Sequence, residues 1–155
     1  MSVSELTLFA DYFQFYLQDE SADGNLSNSW TEEATARLLA VAPGVIGVGT
    51  VRNMDVPVAI EVLGKEPASD EALWDHVVQC SIEVPSGKLV VAGCTDYLPE
   101  AIRIAVQPGT YVARIAYGAL GSVSNNGLNG DDRYRVQLWI GASCPVAVIK
   151  QRVVQ

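Results

Sequence analysis

Residues with catalytic chemistry are few and scattered in this chain. The single histidine, His76, stands in Trp74-Asp75-His76 and offers the one imidazole that could serve as a general base near neutral pH. No nucleophile motif accompanies it, since GxSxG, GxxxxGK[ST] and HExxH are all absent from the sequence. Cys80, Cys94 and Cys144 are odd in number and widely spaced, which suits neither a disulfide framework nor a CxxC metal knuckle. Cys80 keeps step with Val78, Ile82 and Val84, as a small buried hydrophobe would. Gly93-Cys94-Thr95-Asp96 brings Cys94 no base to generate a thiolate.

Two carboxylate pairs, Asp131 with Asp132 and Asp96 with Glu100, could serve acid/base hydrolysis on a β scaffold. Adjacent strand residues point to opposite faces, so a working pair would have to come from different strands. The stretch 118–132 is rich in Gly, Ser, Asn and Asp, and its oxygens could meet Ca²⁺, but it lacks the EF-hand spacing and closing Glu. Its Asn-Gly pairs read as left-handed turns, with Asp131 and Asp132 pairing to Arg133 or Arg135 nearby. One histidine is too few for a cupin-like metal centre, and neither a metal nor a cofactor is expected. Gly44-Val45-Ile46-Gly47-Val48-Gly49 opens a strand rather than a helix, so it cannot cradle a phosphate on a helix dipole. These residues favour binding over catalysis.

Charge points the same way. The net charge of −8 arises from 18 acids and 10 bases that are unevenly placed. Seven acids precede the first base, Arg37, and residues 37–155 are nearly balanced. A single-sign region repels nucleic acid and anionic membranes and steers toward a basic protein surface. The partner-binding set is therefore Asp19, Glu20, Asp23, Glu32 and Glu33, with Trp30 or Tyr16 as an aromatic anchor. A solvated acidic edge kept for solubility is the plainer alternative. A second candidate site combines Trp74, His76, Asp96, Tyr97 and Trp139 as an aromatic-lined pocket for a small molecule or carbohydrate, or for a weak hydrolase. The plainer role for the tryptophans is packing, and for Trp30 a hydrophobic staple at a helix start.

The elements that must position these residues are mostly strands. Period-two alternation marks Tyr12 to Gln18, Val58 to Val62, Val78 to Val84, Ile102 to Val106, Tyr111 to Tyr117 and Tyr134 to Ile140. Pro85-Ser86-Gly87 and Pro108-Gly109 read as tight turns of hairpins, and Pro145 to Val154 reads as a last strand. One helix is expected from Thr31 to about Val41, stopped by Pro43-Gly44, with either a Ser29–Glu32 capping box or Thr31 as its N-cap. Glu32 and Glu33 then sit where the helix dipole favours acids. At 155 residues and 49% hydrophobic, the chain can bury one core as a single domain, 1–155. The expected fold is a mainly β, antiparallel sandwich of about eight to nine strands with one short helix near the N-terminus. No apolar run reaches the roughly 18–20 residues of a membrane span and Met1 to Ala10 lacks a leader pattern, so a cytoplasmic location is expected.

The chain resembles the competence protein J-like nuclease inhibitors and their uncharacterised bacterial relatives. The likeness rests on Tyr12-Phe13-Gln14-Phe15 followed by acids, Trp30-Thr31-Glu32-Glu33-Ala34, Arg52-Asn53 and Pro108-Gly109-Thr110-Tyr111. A closer likeness, from Trp74-Asp75-His76 through Gly93-Cys94-Thr95-Asp96-Tyr97 to Asp132-Arg133-Tyr134-Arg135, is to relatives known only as hypothetical proteins. The resemblance implies a protein that binds and blocks a basic nuclease or toxin. The chain is longer than that family's pattern around Lys65 to Asp75 and Gly118 to Asp132, in loops where partner choice would be decided.

Overall fold

The computed structural model describes residues 1–153. Its strands, in chain order, are β1 (Ser2–Phe9), β2 (Gln14–Asp19), β3 (Leu39–Ala42), β4 (Val45–Gly49), β5 (Asp55–Leu63), β6 (His76–Val84), β7 (Lys88–Gly93), β8 (Ile102–Ala105), β9 (Gly109–Gly118), β10 (Arg133–Ile140) and β11 (Ala147–Lys150). They form a six-stranded sheet in the order β1-β5-β10-β9-β6-β11 and a five-stranded sheet in the order β3-β4-β2-β7-β8. Alternation explains how the two meet. Val78, Cys80, Ile82, Ile115, Tyr134, Val136 and Leu138 from the first sheet and Phe15, Leu17, Ile46, Val48, Leu89 and Val91 from the second are all buried in one continuous apolar cluster.

The described strands number eleven, more than the eight to nine expected. The pattern is not wholly antiparallel either, because β10 runs parallel to β5, Tyr134 opposite Val58. Pro85-Ser86-Gly87 and Pro108-Gly109 are turns, as their residues dictate, but not hairpins. The first leads from β6 in one sheet to β7 in the other, and the second leads from β8 back to β9. Antiparallel neighbours joined in sequence are β3–β4, β7–β8 and β9–β10. Tyr12 and Phe13 precede β2 in a short turn with φ of +58° and +62°, so β2 begins two residues later than alternation indicates. Val154 lies outside the described residues, and the last strand ends at Lys150.

The helix α1 spans Glu32–Arg37, shorter than expected, and follows β1 and β2 rather than leading the chain. Thr31 is its N-cap, with Oγ1 accepting from the Ala34 N–H at 3.1 Å. Leu38 adopts φ +59° and ends it, its N–H bonding back to Thr35 O. The apolar run Leu39–Ala42 then pairs with β4 as β3, burying Leu39 and Ala40, which overrides its helical spacing. Trp30 and Leu26 lie over β4 at Gly47, where a Cβ would come within 2.5 Å of Leu26 Cδ1 and 3.0 Å of Trp30. No helix of the described residues is long and apolar enough to cross a membrane.

Candidate functional site

The acids of residues 19–33 are not all presented at the surface. Asp19 is only 1% exposed and cannot meet a partner. It ends β2 with its carboxylate turned onto two serines: Oδ1 accepts from Ser86 Oγ at 2.6 Å and Ser86 N–H at 3.2 Å, and Oδ2 accepts from Ser21 Oγ and Ser21 N–H. Burial opposes its ionisation, but these bonds outweigh burial and hold the carboxyl below its ordinary range. Asp19 thus clamps the Pro85-Ser86-Gly87 crossover between the sheets. Glu20 accepts from Arg103 Nε on β8 at 3.0 Å. Asp23 is exposed beside Gly24, which packs on the carbonyl of Pro43, whereas Glu32 and Glu33 occupy the first turn of α1. Trp30 is half-buried and packs with Leu26, Ala34 and Ala40 on the outside of the five-stranded sheet; a staple would meet the fourth helical residue, which is the polar Thr35, so its contacts are packing on the sheet instead.

The second candidate set does not converge on a pocket. Trp74 is 6% exposed and covered by guanidinium groups, Arg133 at 4.1 Å and Arg135 at 4.7 Å from its ring. Arg135 is held in turn by both oxygens of Asp70, at 2.6 and 2.8 Å, which keeps the Asp70 carboxyl below its usual range. Trp139 is buried under Arg114. His76 is fully buried against Tyr117; its Nε2 donates to Arg37 O at 2.7 Å and its Nδ1 accepts from Arg152 N–H at 3.0 Å. Burial lowers its pKa, so the ring is a neutral tie between the end of α1 and the segment after β11. Burial and nearby Cys144 push the Cys80 thiol up to about 12, leaving it inert. Cys94 is half-buried and accepts from Tyr16 Oη at 3.3 Å.

Asp131 and Asp132 also separate. Asp131 is exposed, while Asp132 is fully buried and faces Arg52 at 2.8 Å rather than Arg133 or Arg135. The 118–132 loop closes on itself through Ser122, Ser124 and Asn126, with Gly127 N–H donating to Ser124 O at 2.9 Å.

Asp96 and Tyr97 belong somewhere else: a shallow cleft where the outermost strands of the two sheets, β1 and β8, come together. Leu8 and Val91 lie at its buried base; Phe9, Tyr97 and Ile102 stand exposed on its walls; Asp55, Asp96 and Glu100 line it; no base does. Register places these groups. Phe9 pairs with Asp55 across β1 and β5, and Ile102 pairs with Val91 across β8 and β7. Gly93 is required here, because any side chain would strike the Phe9 carbonyl. The Asp96 carboxylate accepts from the Gly93 N–H at 2.8 Å, and Thr95 Oγ1 donates to Asp11 at 3.2 Å, tying the β7–β8 turn to the β1–β2 turn. Sequence reasoning paired Asp96 with Glu100 as carboxylates and Asp96 with Tyr97 in an aromatic pocket, but joined them to Trp74, His76 and Trp139 instead of to Phe9, Asp55 and Ile102, which it missed. Two signals were available: Phe9 keeps step with the polar Glu5 and Thr7 rather than with Leu6 and Leu8, and Tyr97-Leu98-Pro99 sets apolar residues in a turn.

The arrangement defines a mainly β protein of two sheets with an acidic, partly aromatic cleft at their open edges. The chain matches no protein-family model and no curated protein. Among solved structures it shares the fold of ComJ from Bacillus subtilis, an inhibitor of the DNA-degrading activity of NucA, with a TM-score of 0.69 and 16% identity over 89% of this chain and 96% of that one. It is likewise similar to the product of crocagin biosynthetic gene J, with a TM-score of 0.62 and 20% identity over 91% and 98% of the two chains. The resemblance seen in the sequence holds at the level of fold.

Proposed function

We propose that this protein is a non-catalytic binding module, an inhibitor or immunity protein that covers the working face of a basic nuclease or toxin. The observation that carries this reading is how the charges are distributed. Among the described residues, Arg52, Arg103, Arg114 and Arg135 are held in ion pairs, and Arg37 and Lys150 are turned onto backbone carbonyls. Asp23, Glu32, Glu33, Asp55, Asp96 and Glu100 stay exposed without an ion pair. Lys65, Lys88 and Arg133 are also exposed outside these ion pairs, but the exposed unpaired carboxylates outnumber them, so the surface is predominantly acidic and steers association with a basic surface. The likeness to ComJ supports an inhibitory role, since that protein blocks a DNA-degrading nuclease.

In this reading the chain acts as one domain, 1–155, on a sandwich scaffold, in a reducing cytoplasm where its three cysteines remain thiols. Glu32 and Glu33 beside Trp30 contribute to steering, and Asp19 contributes only to the fold. The test is binding to an immobilised NucA-type nuclease at rising salt. The expected result is retention at low ionic strength that falls steeply by 0.5 M salt on the order expected from screening; salt-independent retention, or none at low salt, contradicts the proposal.

A further inference from the structure

We infer that the cleft between β1 and β8 is the docking surface, and that its occupant is an extended segment of a basic protein carrying an apolar side chain flanked by Arg or Lys. The inference rests on the binding reading above and names the site and the partner's chemistry.

Three observations meet at this place. The floor is apolar, with Leu8 and Val91 beneath Phe9, Tyr97 and Ile102, and the exposed fractions of 39%, 68% and 40% for the last three leave large hydrophobic area uncovered. The lining carries three carboxylates and no base, and Asp11 stands next to it against Thr95. Arg103, the base on β8 nearest in sequence, is already occupied by Glu20 and by the carbonyls of Leu98 and Ala101. An apolar centre with an acidic rim is complementary to an apolar side chain between cations.

The walls supply the third observation. β1 and β8 are the outermost strands of their sheets, each paired along one side only. Their free edges offer backbone donors and acceptors to an added extended segment. The cleft is also held in shape before any partner arrives: Asp96 caps Gly93, Thr95 ties to Asp11, and Ala10 N–H donates to Met54 O at 3.0 Å. A second copy of the chain does not suit this surface, because placing the cleft against itself would set Asp55, Asp96 and Glu100 opposite their own equivalents.

The test uses three synthetic decapeptides, of alternating Leu and Arg, of alternating Leu and Glu, and of Arg alone, titrated into the ¹⁵N-labelled full chain. The Leu/Arg peptide should shift amides at residues 7–11, 55, 91 and 95–102, and bind at least about tenfold more tightly than either other peptide. Asp55→Lys with Glu100→Lys, and separately Tyr97→Ser, should weaken it by about tenfold, while Glu71→Lys with Glu83→Lys, exposed acids outside the cleft, leaves it within about twofold. Circular dichroism on each variant confirms that the fold is kept. Shifts centred on residues 23–33, equal binding of the Leu/Glu peptide, or no shifts at all would overturn the inference. Nuclease binding that survives the cleft variants would remove the cleft and leave the inhibitor reading standing; peptide binding at the cleft without any nuclease binding would do the reverse.

Discussion

Glu20 and Arg103 are joined at 3.0 Å, and the same guanidinium donates through Nη1 to the carbonyls of Leu98 at 2.9 Å and Ala101 at 2.8 Å. An acid that the sequence marks as part of a binding patch therefore serves as an anchor for the turn that carries Tyr97 and Glu100. Both partners are about one-third exposed, so the pair itself contributes less than about 1 kcal/mol.

Replacing Glu20 with Gln should accordingly move the melting temperature by only about 1–3 °C. The sharper effect is local: amide exchange at residues 97–101 should accelerate several-fold, measured by hydrogen exchange. Unchanged exchange in that turn would show that Arg103 holds it through the two carbonyls alone.

Asp132 and Arg52 form the buried counterpart. Asp132 is wholly buried; its carboxylate lies 2.8 Å from Arg52 Nε, a charge contact without a hydrogen bond's alignment, and also accepts from Tyr134 Oη, which itself accepts from the Val51 N–H at 3.1 Å. Burial and the Asp132 carboxylate together raise the Tyr134 phenol well above its ordinary value. Arg52→Ala leaves a buried carboxylate without its counter-charge and should cost about 3–5 kcal/mol in urea unfolding. Tyr134→Phe should cost about 1–3 kcal/mol, because it orphans the Val51 N–H and one Asp132 oxygen.

Two acid-dependent losses of stability should be separable. The unfolded chain protonates His76 near pH 6.5, whereas burial keeps the folded ring neutral to lower pH. Its contribution is complete above that pH and declines as pH falls below about 6.5, by the linkage of proton uptake to unfolding. Asp19 and Asp70, both depressed in the fold, contribute fully above about pH 4 and lose that contribution as pH falls through their folded values. Thermal melts from pH 8 to pH 2 should show both declines. His76→Gln should flatten only the upper one and Asp19→Asn should reduce only the lower one.

Tyr12 is 67% exposed with φ +58°, a conformation that costs a non-glycine residue about 1 kcal/mol. Tyr12→Gly should therefore raise unfolding stability by about 0.5 kcal/mol after the glycine's greater unfolded-state entropy is subtracted. A destabilisation beyond about 1 kcal/mol would mean that the ring packs more tightly than its exposure implies.

The β class and the sites of turning were legible because alternation and Pro-Gly pairs are local. What the turns connect was not: Pro85-Ser86-Gly87 looks the same whether the chain returns beside its neighbour or crosses to another sheet. The parallel contact of β10 with β5 joins Tyr134 to Val58, a separation no local pattern records. Asp96, Tyr97 and Glu100 were legible as residue types, since they share one short turn. Phe9 and Asp55 reach the same cleft only through strand register, and Asp19 lost its place in the acidic set because Ser86, far along the chain, turns it inward.

Inhibition of a basic partner through exposed carboxylates can be read directly from DNA degradation by a NucA-type nuclease titrated with this protein and with its Asp55→Lys, Glu100→Lys variant. Degradation should be lost completely near equimolar native protein, and the variant should shift that loss by at least about tenfold. Undiminished degradation at a hundredfold excess of the native chain, on the order of what would saturate even a weak complex, would contradict inhibition.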